Sequence, residues 1–251
     1  MRLKVTFGDR EEIIEISRDY RRFLISFIKS VFAQSGKYEA LYSKKNLKPF
    51  TFSVFLGERF TIPEEADKEK ITVSSPFHLI FSTGDLEIFS SFYNGLLDMK
   101  KKGLGLSFGN SIFPISGLFL NRFIKIGGSS AVFKSLGICI LTNPEEKAKD
   151  FRRWYITPKD DLEKFNYVLN LRMHQKYELL TGRRLQTEIE FIPLGDDSIK
   201  EICVRHYNGY LRGFKGQFIL RSHPEMLQFI YDYGLGVRTG QGFGLLEVVG
   251  M

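Results

Sequence analysis

Twice along this chain the apolar residues step through the same series of spacings. In the first pass Leu3, Val5 and Phe7 alternate with polar neighbours. Tyr20, Phe23, Leu24, Phe27, Ile28, Val31 and Phe32 then recur every three or four positions across residues 17–34, and Gly36 closes the run. A strand at 50–55 closes at Gly57, a polar loop follows at 64–70, and 71–82 reads as another strand. A second helix runs from Leu86 through Phe89, Phe92, Tyr93, Leu96 and Leu97 to Lys100, Lys101, Lys102 and Gly103, its last lysines complementing the helix dipole. Irregular strand material spans 112–126. The second pass has a strand at 131–141, a long helix at 160–180, strands at 185–192, 199–207 and 212–221, a short helix at 224–233 and a final strand. Strand, helix, strand, strand, helix, strand is the order of a ferredoxin-like unit. The sequence therefore predicts an α+β protein of two such units in tandem, residues 1–127 and 128–251.

Between the last helix and the last strand stand five glycines, Gly234, Gly236, Gly240, Gly242 and Gly244, with Arg238 and Gln241 among them. Glycine admits positive φ and the close approach of another backbone or a phosphate. Successive N–H groups free of side chains form nests that favour anions. One helix cap needs one glycine, and Gly234 serves as that one; the others point to an anion cradle. Nucleotide-cofactor motifs do not fit, since no Lys-Ser or Lys-Thr follows and Thr239 stands where a third fingerprint glycine would fall. A polyanion crossing the surface fits better. A net charge of +7 and a pI near 9.3 suit a nucleic acid or an anionic membrane. Arg205, Arg212, Lys215 and Arg221 add cations, and Phe214, between Arg212 and Lys215, is an aromatic suited to stacking on a base. The longest uncharged run, 103–121, is broken by Gly, Ser, Asn and Pro and reads poorly as a membrane helix. The N-terminus is charged and lacks an apolar signal core, so a cytoplasmic location is expected.

Two stretches near opposite ends carry a family resemblance. Gly-x-Gly-x5-Gly-Phe-Gly before a β run (Gly234, Gly236, Gly242, Phe243, Gly244, then 245–249) is similar to the glycine-rich loop of the repeat-associated RNA-binding proteins. Lys48-Pro49-Phe50-Thr51-Phe52-Ser53 resembles the Lys-x-Phe-x-Phe-Ser strand of one branch, the CRISPR repeat-processing endoribonucleases or "Cas six" family. The resemblance implies the same double ferredoxin-like arrangement, with the loop beside the cleft between the units. It also implies repeat RNA as the partner, in a monomer or homodimer. The implied reaction is metal-independent, cofactor-free cleavage through the RNA's own 2′-hydroxyl, leaving 5′-hydroxyl and 2′,3′-cyclic phosphate ends.

Such cleavage needs a base for the 2′-hydroxyl, donors or a cation for the phosphate's developing charge, and an acid for the leaving 5′-oxygen. The family supplies a histidine near the end of the first helix, with a lysine and often a tyrosine nearby. Counting back from Lys48, the histidine's place falls at Tyr42, and residues 1–77 contain no histidine. The expected catalytic stretch is thus the connector 38–48. Tyr42 orients the 2′-hydroxyl or donates a proton, Lys48 or Lys45 holds the phosphate, and Tyr38 stands beside them. Lys44 and Lys45 are placed to lower the Tyr42 pKa. RNA binding is expected at Gly234, Gly236, Arg238, Gly240, Gln241, Gly242, Arg212 and Lys215. The absent histidine favours a second role, a non-catalytic subunit holding guide RNA alongside other CRISPR effector subunits. A general single-strand RNA binder is a third. None of His78, His174, His206 and His223 has metal-ligand spacing, and Cys139 and Cys203 form no metal set. His206 is the reserve acid or base.

Overall fold

Leu3, Val5 and Phe7 put three fully buried side chains on one face of β1 (Arg2–Phe7), which makes it the centre of the first sheet. The computed structural model describes residues 1–8, 10–44, 46–61, 70–195, 197–207 and 209–251. After β1 come β2 (Ile13–Ser17), α1 (Arg21–Gln34), α2 (Tyr38–Tyr42), β3 (Thr51–Phe55), β4 (Phe60–Thr61), β5 (Lys70–Ser74), β6 (Phe77–Ser82), α3 (Leu86–Lys101), β7 (Gly105–Phe108) and β8 (Ser111–Leu120). The main sheet has the order β3-β6-β1-β8-β7 with antiparallel neighbours throughout. Its first four strands, with α1 and α3, are one ferredoxin-like unit. Helix α1 buries Leu24, Phe27, Ile28, Val31 and Phe32 along one stripe. Helix α3 starts because the Asp85 carboxylate accepts from the Glu87 and Ile88 N–H groups at 2.8 and 3.1 Å. Gly95 lets the two helices meet, since a Cβ there would lie 2.2 Å from the Val31 carbonyl oxygen. Phe32, Phe50, Phe81 and Phe92 fill the space beneath, with the Phe81 and Phe92 rings stacked 3.9 Å apart.

The second half repeats the plan: β9 (Ser130–Ser135), α4 (Phe151–Trp154), α5 (Leu162–Thr181), β10 (Glu190–Pro193), β11 (Ile199–His206), β12 (Gly209–Arg221), α6 (Pro224–Tyr233), a 3-10 turn (Thr239–Gln241) and β13 (Leu246–Gly250). Its sheet runs β10-β12-β9-β13, and β11 pairs with the first part of the long β12. On the outer edge of β10, Asn166 and Asn170 from α5 bond to the backbone of Phe191 and Ile189, each side chain taking one N–H and one carbonyl. Arg2 reaches across the halves to the Tyr231 carbonyl at 2.8 Å, its guanidinium 3.6 Å above the Tyr231 ring. Ser82 Oγ donates to Asp232 O at 2.9 Å.

Several boundaries differ from those read in the sequence. The run 71–82 is two strands, broken at Pro76, which has no N–H to give to a ladder. Strand β5 leaves the main sheet and pairs with β2 and β4. Helix α1 begins at residue 21 rather than 17 because Ser17 is held in β2. The strand expected at 131–141 ends at Ser135, and Cys139, Ile140 and Thr142 make single bridges instead. Apart from Lys70, the polar loop at 64–70 lies outside the described residues. No helix among the described residues is long and apolar enough to cross a membrane.

Candidate functional site

Helix α6 ends at Gly234, with φ +85°, and the chain then turns back through the glycine loop. Most of the loop's N–H groups are already used within the protein. Leu235 donates to Gly244 O, Val237 to Ile140 O and Gly244 to Ile138 O, each at 2.8 Å, and Gly236 to the Met173 sulfur at 3.3 Å. A Cβ on Gly236 would lie 2.2 Å from Ile140 O, and one on Gly244 2.2 Å from Leu235 O. Gly234 and Gly242 also sit at positive φ, Gly234 against Thr51 and Gly242 against the Phe52 ring. Glycine at these positions permits close packing of backbone, so the expected open cradle of free N–H groups is mostly filled by the protein itself. The loop exposes Arg238, in the left-handed region at φ +58°, with Gly240 and Gln241 half-buried beside it. Gln241 Oε1 accepts from Arg238 Nη1 at 3.2 Å and lies 3.1 Å from His206 Nε2.

This tip rests on the first half of the chain. A Cβ at Gly240 would fall 2.6 Å from Lys48 Cβ. Lys29, Tyr42, Lys48, Tyr207, Arg238 and Gln241 line one cleft of about 420 Å³. Tyr42 is clamped by cations, with Lys48 Nζ 4.8 Å and Lys29 Nζ 5.2 Å from its ring centroid. The Tyr42 hydroxyl is buried and has no hydrogen-bond partner among the described residues. Burial, then the neighbouring Tyr38 and Tyr207, push its pKa upward, contrary to the lowering expected from Lys44 and Lys45. The Tyr42 hydroxyl therefore stays protonated. The Lys48 ammonium is occupied by carbonyls, donating to Leu41 O, to Asn46 O at 2.9 Å and to Lys44 O at 3.4 Å. Burial, then Lys29, lower its pKa.

The remaining expected residues fall elsewhere. Lys45 lies outside the described residues. Tyr38 stacks on Tyr42 at 5.4 Å but is not among the residues lining the cleft. Arg212, expected to meet RNA phosphates, is instead buried between carboxylates. It reaches Asp160 Oδ1 at 2.6 Å and Oδ2 at 2.8 Å, and it also bonds Glu201. Lys215 lines a second pocket of about 310 Å³ with Arg18, Arg21, Arg205, Tyr20 and Tyr210, and no carboxylate is among its lining residues. His206 is buried, its Nδ1 3.7 Å from Asp19 Oδ1. Burial lowers its pKa against the opposing pull of Gln241 and Asp19. Two cleft residues escaped sequence reading. Lys29 looks like an ordinary polar-face lysine of α1, and Tyr207 is a turn residue whose positive φ, 53°, only the structure reveals.

The model of the family described as CRISPR associated protein Cas6, C-terminal, matches residues 123–248, half of the chain. The chain belongs to the Cas6 family. The matched half brings Tyr207, Arg238 and Gln241 to the cleft of this Cas6 protein, while Lys29, Tyr42 and Lys48 come from the half before it. A curated relative is the putative CRISPR-associated endoribonuclease-like protein Cas6 of Pyrococcus furiosus. It is 23% identical over 205 residues, covering 80% of this chain and 78% of the relative. Two solved structures share the fold over 99% of both chains. One, an RAMP protein binding different RNA substrates, has a TM-score of 0.78 at 20% identity. The other, a CRISPR associated protein Cas6, has a TM-score of 0.76 at 22% identity.

Proposed function

We propose that this Cas6 family member binds CRISPR repeat RNA and cuts it in the cleft shared by the connector and the glycine loop. The observation that carries this is convergence. The connector around Tyr42 and the loop around Arg238, far apart in sequence, line one cleft whose cations are Lys29, Lys48 and Arg238. Lys29 and Arg238 face the phosphate and offset charge on its non-bridging oxygens. Tyr42, kept protonated by burial, orients the 2′-oxygen or protonates the leaving 5′-oxygen. The cleft lining holds cations and no carboxylate, a poor seat for a hard divalent ion, which favours the metal-independent route. Lys215, Arg21 and Tyr210 in the neighbouring pocket extend the cationic track, with an aromatic on which a base can stack.

A non-catalytic, RNA-holding role has its own support. Tyr42 is a poor base, the Lys48 ammonium is spent on carbonyls, and the buried His206 sits behind Gln241. The two roles separate in one assay. End-labelled repeat RNA is incubated with the purified protein in EDTA, alongside the same RNA carrying a 2′-deoxy nucleotide at the cut. Cleavage to 2′,3′-cyclic phosphate ends, abolished by the deoxy substitution, is the expected result. Tight binding with both RNAs left intact makes the protein a binder.

A further inference from the structure

Helix α5 carries a lysine on its buried face. Lys176 is 4% exposed, and among the described residues no carboxylate pairs with it. Its Nζ bonds to Tyr233 O and Gly234 O at 2.8 Å each and lies 3.2 Å from Thr239 Oγ1. The two carbonyls are at the end of α6, where the glycine loop begins. Thr239 is in the middle of the loop, between Arg238 and Gly240, and lines the cleft with them. We propose that Lys176 is a positioning residue for RNA. Its nitrogen fastens the start of the glycine loop to its middle and sets a positive charge directly beneath the segment that meets the phosphate. The inference rests on the RNA-binding role proposed above.

The arrangement suits both protonation states. Two carbonyls and one hydroxyl satisfy an ammonium, which donates to all three. They equally satisfy a neutral amine, which donates to the carbonyls and accepts from the Thr239 hydroxyl. The loop is therefore held in either state, and what changes is the charge under it. Burial lowers the Lys176 pKa to about 7, so its charge is adjustable near neutral pH. The titratable group whose field it feels is the Cys139 thiol, itself pushed up to about 12 by burial and hence neutral. Tyr233, whose carbonyl it holds, is likewise pushed up to about 12. Arg238 and Lys48 line the cleft beside Thr239 and carry positive charge. An RNA phosphate on the loop is the anion this ammonium lacks, so binding RNA raises the lysine's proton affinity and takes up a proton.

The test is calorimetric titration of the 2′-deoxy-substituted repeat RNA described above into the protein at pH 8. Parallel runs in phosphate and Tris differ in ionisation enthalpy and so report protons exchanged. The parent is expected to take up a substantial fraction of one proton and to lose affinity by up to about tenfold per pH unit above neutrality. Lys176→Met, checked for folding by circular dichroism, is expected to take up almost none and to bind about tenfold more weakly at pH 6.5, with the gap narrowing but not closing at pH 9, where the parent's neutral amine still fastens the loop. His206→Asn should keep the uptake. A folded Lys176→Met with the parent's uptake and affinity overturns the proposal. Should Lys176→Met not fold, the parent decides it alone through its lysine 13Cε resonances. One signal should titrate near pH 7 without RNA and at a higher pH with RNA; lysine signals unchanged from pH 6 to 9 overturn the inference even where RNA binds well. No RNA binding by the parent at any pH overturns the functional proposal and this inference together.

Discussion

Arg212 shows how a single side chain is misread from sequence. Followed by Gly213 and Phe214 it looks like a phosphate contact, yet its side chain is 9% exposed and held by Asp160 and Glu201. Those partners lie 52 and 11 residues away, so no local pattern announces the pairing. The consequence for acid stability can be worked through. Burial alone would raise the Asp160 pKa, but hydrogen bonds from Arg212 and Thr157 outweigh it and hold the carboxyl below its ordinary value. The depressed pKa stabilises the fold fully above the unfolded value and loses that contribution as pH falls through the folded one. Arg212→Met should therefore cost about 1–2 kcal/mol at pH 7, discounted because both carboxylates are more than a third exposed. It should also flatten the acid limb of the stability curve below about pH 4 and leave RNA affinity unchanged; denaturant melts across pH, with one RNA titration, check all three. Lys29 is the converse case, an inconspicuous helix lysine that faces Tyr42 across the cleft. Lys29→Ala should slow single-turnover cleavage about a hundredfold with little change in RNA affinity, whereas Lys48→Ala should mainly loosen the connector, seen as faster proteolysis there.

At the scale of elements, the order of strands and helices was legible because each has a clean period and a visible stop. Phe27, Val31 and Phe92 each fall on a stripe that packs inward, and Gly182 ends α5 in the left-handed conformation as a helix cap should. The small β2-β5-β4 sheet was not legible, since it joins residues 13–17 to 70–74 through pairing that no local period records. The glycine loop was visible as a loop, and the resemblance set it beside the cleft between the units; that Arg238 and Gln241 line one cleft with Tyr42 emerged only in the structure. The duty of each glycine was not visible, because what approaches Gly236 is the Ile140 carbonyl, almost a hundred residues earlier. Gly236→Ala meets that oxygen at 2.2 Å with φ at +77°, and is expected to cost about 3 kcal/mol and lower the melting temperature by roughly 10 °C. Gly240→Ala meets Lys48 Cβ at 2.6 Å and Cγ at 2.8 Å rather than a buried backbone oxygen, so the connector must shift, and the variant should melt below the parent but above Gly236→Ala. Calorimetric scans of the two variants distinguish a packing glycine from a cleft glycine.

At the scale of the whole molecule, two pockets with no residue in common are lined by cations and no carboxylate, one around Tyr42 and Arg238 and one around Lys215 and Arg21. If both track a single RNA strand, Arg238→Ala and Lys215→Ala should each reduce the slope of log affinity against log salt by about 0.7, and the double variant by about twice that. A double variant no worse than Arg238→Ala would confine RNA to the first cleft; filter binding from 50 to 400 mM salt supplies the slopes. Elsewhere on the surface, Asn166 and Asn170 imitate a neighbouring strand along the outer edge of β10, answering its outward N–H and carbonyl groups one for one. An edge satisfied in this way gives another polypeptide nothing to zip onto. Neighbouring copies at high local concentration thus have no open flank here through which to fuse into cross-β aggregates.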